Sequence, residues 1–139
     1  MLIAPIIAQV QTVTVLKSVE GVVEFALAQQ SLKGVPAAFV VPLMDSATPN
    51  RMLSGAVEQR VAERFGVILA VSNVRDQRGQ AANEDLEGVR KSVIAALLGW
   101  QPAAGYDPVE YGGGRMLSLI NPVLWWQLEF TTAYIERKV

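Results

Sequence analysis

Glu58 and Glu63 come nearest to a catalytic pair in this sequence, because two neighbouring carboxylates can divide acid and base work between them. They fall in a segment with strand alternation and have opposite parity, so on a strand they point to opposite faces. Glu110 and Glu129 meet only if their strands pair, and neither has other polar residues around it suited to a site. All four read as solvated or salt-bridged surface carboxylates, which argues against a glycosidase. The chain contains no histidine and no cysteine. That removes the commonest general base, the commonest transition-metal ligand, every Ser-His or Cys-His nucleophile pair and any thiolate metal site. Gly112-Gly113-Gly114 sits inside an expected strand hairpin and not between a strand and a helix, where phosphate loops lie. No Gly-Lys-Ser or Gly-Lys-Thr follows it, so a bulge, bend or close backbone approach is the expectation. Asp45, Asp76, Asn83 and Asp85 fit no calcium loop spacing. The sequence therefore predicts no catalytic residue, no cofactor and no metal site, and a protein that is not an enzyme.

Other residues are suited to binding instead of bond-making. Arg60 and Arg64, with Glu58 between strand neighbours, form a charged stripe. With 12 basic and 13 acidic residues and a net charge of -1, this stripe reads as a solvated face or as ion pairs between subunits, not as a specific nucleic-acid surface. Trp125 and Trp126 are adjacent, so on a strand they face opposite sides. Trp126 is assigned to the core with Leu128 and Phe130. Trp125, flanked on its face by Gln127 and Glu129, is then an exposed interface anchor, unless a helix covers that face as well. Arg51, Met52 and Leu53 lie in a polar loop over 45–55, long enough to be expected to have a function. The candidate interface set is Arg51, Met52, Leu53, Glu58, Arg60, Arg64, Trp125 and Glu129.

These residues need elements to position them. Ile3, Ile6, Ile7, Val10 and Val13 recur at helical spacing over 2–13, and a second short helix spans 22–30. Ala37–Leu43 reads as a buried strand whose Pro42 marks an edge or bulge. Val57–Asn73 is a long strand, with polar residues on one face of its first half and apolar residues on both faces of its second. A third helix covers 80–98, with Leu86, Val89, Val93, Leu97 and Trp100 as its stripe, Gly99 as its cap and Glu87–Lys91 as a favourable pair. Val109–Ile120 and Val123–Arg137 form an antiparallel pair joined at Asn121-Pro122. The expected fold is α+β: one mainly antiparallel sheet flanked by helices, order α-α-β-β-α-β-β, in a single domain spanning 1–139.

Hydrophobic residues make up 51% and charged residues 18% of the 139. This apolar surplus must be buried somewhere. No stretch reaches the roughly 18 apolar residues of a membrane span, and the apolar start lacks a basic signal-like flank. Burial against other proteins remains, which predicts no membrane partner.

The segment Arg60–Gly79, RVAERFGVILAVSNVRDQRG, resembles the central part of tail terminator proteins of long-tailed bacteriophages and prophages. So does Val109–Tyr134, VEYGGGRMLSLINPVLWWQLEFTTAY, with the intervening helix ending in LLGW and the upstream PAAFVVPL. The resemblance covers nearly the whole chain and carries no catalytic signature. It implies a structural virion protein, made in the host cytoplasm, that forms a ring, usually a hexamer, at the head-proximal end of the tail tube. Such a ring ends tube polymerisation and offers a surface to head-completion or neck proteins, and DNA passes through its lumen. The implied partners are the chain itself, the tube protein and the neck protein. The alternatives are another neck or tube subunit, or a small ligand-binding α/β domain.

Overall fold

The computed structural model describes residues 1–28, 32, 34–72, 80–120 and 122–139. The turn expected at 75–79, with Asp76, and Asn121 lie outside the described residues, as do the side chains of Asn83, Glu84 and Asp85.

Helix α1 (Ile3–Val10) forms where the apolar stripe predicts it, and Pro5 sits in its first turn, where a missing donor costs nothing. Its inner residues Ile6 and Val10 are buried. The helix stops before Val13, yet Val13 is still buried, through a turn in which its N–H donates to the Val10 carbonyl at 3.0 Å. Strand β1 (Ser18–Glu20) follows, then helix α2 (Val22–Ala28), strand β2 (Ala37–Ala47), strand β3 (Val57–Ser72), helix α3 (Gln80–Leu97), strand β4 (Glu110–Ile120) and strand β5 (Val123–Lys138). The expected order holds, with β1 added. Three residues are too few for a period-two pattern to show. Only its parallel pairing with β2, Ser18–Glu20 opposite Ala37–Phe39, makes this segment a strand.

The strands form one sheet in the order β1-β2-β3-β5-β4. All pairs are antiparallel except β1 with β2. Strand β2 runs past the expected end at Leu43, because Asp45, Ser46 and Ala47 pair with Glu63, Ala62 and Val61. Ladder hydrogen bonds are made by backbone, so a turn-like composition does not prevent them. The register slips between Pro42 and Met44, which confirms Pro42 as the mark of a bulge.

Alternation sends Phe65, Val67 and Leu69 of β3 and Leu128 and Phe130 of β5 to one face, against α1 and α3. Val93 and Leu97 of α3 complete that core, and Phe65 stacks on Phe130 at 5.5 Å. Each such side chain contributes about 1.5–3 kcal/mol by leaving water. The opposite face carries a smaller cluster of Phe39, Val41, Ile68 and Trp125 under α2. Helix α3 ends at Gly99, whose φ of 77° suits a residue without Cβ. The Gly99 N–H donates to Val109 and the Val109 N–H to Trp100, both at 2.8 Å, which ties the helix end to the start of β4. No helix among the described residues is long and apolar enough to cross a bilayer.

Candidate assembly interface

Beyond the helices, β3, β5 and the end of β2 continue as an arm. The loop over 48–56 closes its tip. Thr48 and Arg60 pair across the loop's base, the Thr48 N–H donating to the Arg60 carbonyl at 2.9 Å. Asn50 then organises the turn: its Oδ1 accepts from Met52 N at 3.0 Å and from Glu58 N at 2.9 Å, and its Nδ2 donates to the Ala56 carbonyl at 3.1 Å. An Asx side chain used in this way satisfies backbone groups that no ladder reaches. The loop is thus held in shape, and Met52 and Leu53 are held out in solvent, Leu53 fully exposed.

The charged candidates pair within the chain. Glu58 is only 6% exposed. It accepts from Arg51 and from Arg137, whose Nε lies 2.7 Å away. The Arg51 hydrogen bond, followed by that of Arg137, holds its carboxyl below the usual range, although burial works the other way. Arg60 donates to Asp107 at 2.7 Å, and Arg64 lies 3.4 Å from Glu129, which also accepts from Gln127 at 3.0 Å. The structure therefore closes these pairs within the chain, where intersubunit pairs were one expectation. It also gives Glu129 the polar company that the sequence did not show.

Two expectations need correcting. Trp125 is not an exposed anchor: it is 7% exposed, with Phe25 of α2 at 5.8 Å and Phe39 at 6.1 Å. The covering helix left open above is α2. Glu63 is not a surface carboxylate but a buried one, 3% exposed, facing the main core beside the pair Tyr106 and Tyr134. Burial pushes its pKa up, the amino group of Met1 at 3.9 Å pulls it down, and Asp45 adds to the rise. Its Oε2 has no hydrogen-bond partner among the described residues.

Among the described residues no catalytic constellation is assembled. Glu58 and Glu63 emerge on opposite faces, as their parity requires. The glycine run is a bulge: the register slips between Tyr111 and Gly113, and Gly113 has a φ of 121°. Among the described residues no group of acidic side chains is placed to hold a metal. A cleft of about 250 Å³ between α2 and the sheet is lined by Ser18, Glu20, Glu24, Leu27, Ala28, Leu32 and Phe39. It offers two carboxylates beside an apolar wall, without a nucleophile–base pair.

The free edges of the sheet are more informative. Strand β4 is the last strand on one side and has no neighbour beyond it among the described residues. Its Met116, Leu117 and Leu119 are exposed, as are Leu43 and Met44 where β2 runs past the end of β1. Unpaired edges bearing apolar side chains mark association sites.

The family model described as phage tail terminator protein matches residues 2–138. The chain belongs to the phage tail terminator family. No curated protein matches it. A tail terminator is a structural component of a bacteriophage tail, so the surfaces that matter in this terminator are those that meet other tail or head proteins. Of the sequence candidates, Met52 and Leu53 stand free at the arm tip. Arg51, Glu58, Arg60, Arg64 and Glu129 brace the arm through internal pairs, and Trp125 lies in the second core. The sequence reading missed Arg137 and Asp107, which complete the pairs, and the apolar edge of β4. The run Met116-Leu117-Ser118-Leu119 was a visible signal for that edge, but its exposure depends on strand order.

Proposed function

We propose that this terminator assembles into a closed ring, a hexamer, that caps the head-proximal end of the tail tube. The ring stops tube polymerisation and presents the surface to which head-completion or neck proteins attach. In this reading the chain acts by assembly and catalyses no reaction. Its partners are its own copies, the tube protein and the neck protein, it needs no cofactor, and DNA traverses the lumen without sequence-specific contact. It works in the virion, after assembly in the host cytoplasm.

The observation that carries this reading is the family match over residues 2–138. The apolar, unpaired strand edges on opposite sides of one sheet support it, because a heterologous contact repeated between copies closes into a ring when its rotation divides a full turn. The arm tip, with Met52 and Leu53 outward, suits a contact with the tube. The test is to add purified protein to tube subunits that are polymerising and to measure tube length and the mass of the free particle. Rings of one defined mass and shortened, capped tubes are expected. Long cylinders made of this chain alone would assign it to the tube instead.

A further inference from the structure

The two edges of the sheet carry opposite charges at the same height. Following the register across the strands, Glu20 pairs with Phe39, Phe39 with Ile68, Ile68 with Gln127, and Gln127 with Arg115. These five residues form one transverse row on one face of the sheet, with an acid at the β1 end and a base at the β4 end. Arg115 is exposed. Neither Arg115 nor Glu20 has an ion-pair partner among the described residues, whereas Arg51, Arg60, Arg64 and Arg137 are all paired.

We propose that neighbouring copies in the ring join edge to edge: β4 of one copy pairs with β1 of the next, and its Arg115 enters the neighbour's α2 cleft against Glu20 and Glu24. This deepens the ring reading and rests on it. Strand direction supports the junction. Counting across the sheet, β1 and β2 run one way, β3 the other, β5 back again and β4 opposite to β5. A copy carried round a ring axis keeps its strand sense, so β4 meets the next β1 antiparallel, the more stable pairing per residue. The face also agrees, since Arg115 and the cleft lie on the same side of the sheet. The cleft of about 250 Å³ has room for a side chain. Leu27, exposed in one copy, lies along the aliphatic stem of the incoming arginine, and the carboxylates of Glu20 and Glu24 meet its head group. The contact covers polar and apolar edge groups together, and the charge pair sets which residue faces which.

Because the chain has no cysteine, the junction can be tested by cross-linking. Directly opposed residues of an antiparallel pair lie about 4.5–5.5 Å apart at Cα, within disulfide reach. Inside one copy, Glu20 and Arg115 are separated by four strand spacings, roughly 19 Å, which no disulfide spans. The double variant Glu20→Cys with Arg115→Cys, mildly oxidised as assembled rings, is expected to give a ladder of covalent multimers up to the ring mass on a non-reducing gel. Each single variant is expected to give none beyond a dimer. As a second measurement, Arg115→Glu should lose ring assembly, and combining it with Glu20→Lys and Glu24→Lys should restore it, with thermal melting confirming that each variant folds. Rings of wild-type mass in which the double variant cross-links no further than the singles would overturn this junction and leave the ring reading standing. A ladder ending at the dimer would also overturn it, since that marks a two-fold contact. If the wild-type chain keeps a one-subunit mass and never shortens tubes, the ring reading itself fails and the junction with it.

Discussion

Glu58 and Glu63 occupy one strand, and both are buried, yet their surroundings oppose each other. Glu58 meets two arginines, which favour its charged form and lower its pKa from 4.5. Its stabilisation is therefore present above pH 4.5 and is lost as pH falls through the depressed folded value. Glu63 is pushed up from 4.5 mainly by burial. The native state then holds its proton more tightly than the unfolded chain, so stability falls as pH rises from 4.5 through the raised folded value. Replacing each with glutamine should separate these effects in urea unfolding measured across pH. Glu58→Gln should lower the midpoint at neutral pH, and the gap to wild type should close on acidification below 4.5. Glu63→Gln should remove the decline that wild type shows above 4.5, so its midpoint relative to wild type should improve towards neutral pH. Parallel curves for either variant would show that the group's surroundings are not those described.

At the scale of elements, β4 depends on what its glycines leave out. A Cβ on Gly114 would stand 2.7 Å from Trp126 Nε1, 3.0 Å from the Tyr111 hydroxyl and 3.1 Å from the Gln127 carbonyl. The first two are side-chain ends that can yield, but the carbonyl belongs to the paired strand. Gly114→Val should therefore destabilise by about 1–3 kcal/mol, the usual cost of overpacking. On Gly112 the added atom would meet nothing nearer than 3.5 Å. Gly112→Ala should leave the unfolding midpoint near wild type, and an equal loss at both sites would point to general intolerance of side chains in β4. This strand also shows how far sequence reaches at this scale. Gly112-Gly113-Gly114 announced an irregular strand, but two register slips, one at the glycines and one between Met116 and Ser118, are set by pairing with β5.

Across the whole molecule, the distribution of apolar surface separates folding from assembly. The main core lies between the sheet and α1 with α3, and the second lies under α2. The arm tip and the sheet edges hold part of the exposed remainder, Leu53, Met44, Met116 and Leu119 among them, and α2 exposes Val22, Val23 and Leu27 as well. Leu53 touches solvent alone, so Leu53→Asp should change folding stability by no more than about 0.5 kcal/mol. The same change should weaken capping of tail tubes, read as longer tubes at equal protein concentration. Unchanged capping would remove the arm tip from the tube contact.

Much of this protein was legible in its residues alone. Periodicity places α1, α3, β3 and β5, because burial on one face leaves its mark every 3.6 or every two residues. The lack of histidine and cysteine already turned attention from chemistry to assembly. Contacts between segments distant in sequence decided the rest. Trp125 is covered because Phe25 and Phe39, both distant from it in the chain, converge on it, and parity alone names a face without saying what lies above it. Glu58 finds Arg137 only when β3 and β5 pair in register. The same registers place Glu20 and Arg115 at the two ends of one row, since position across a sheet is set by strand order, which no local pattern of residues encodes.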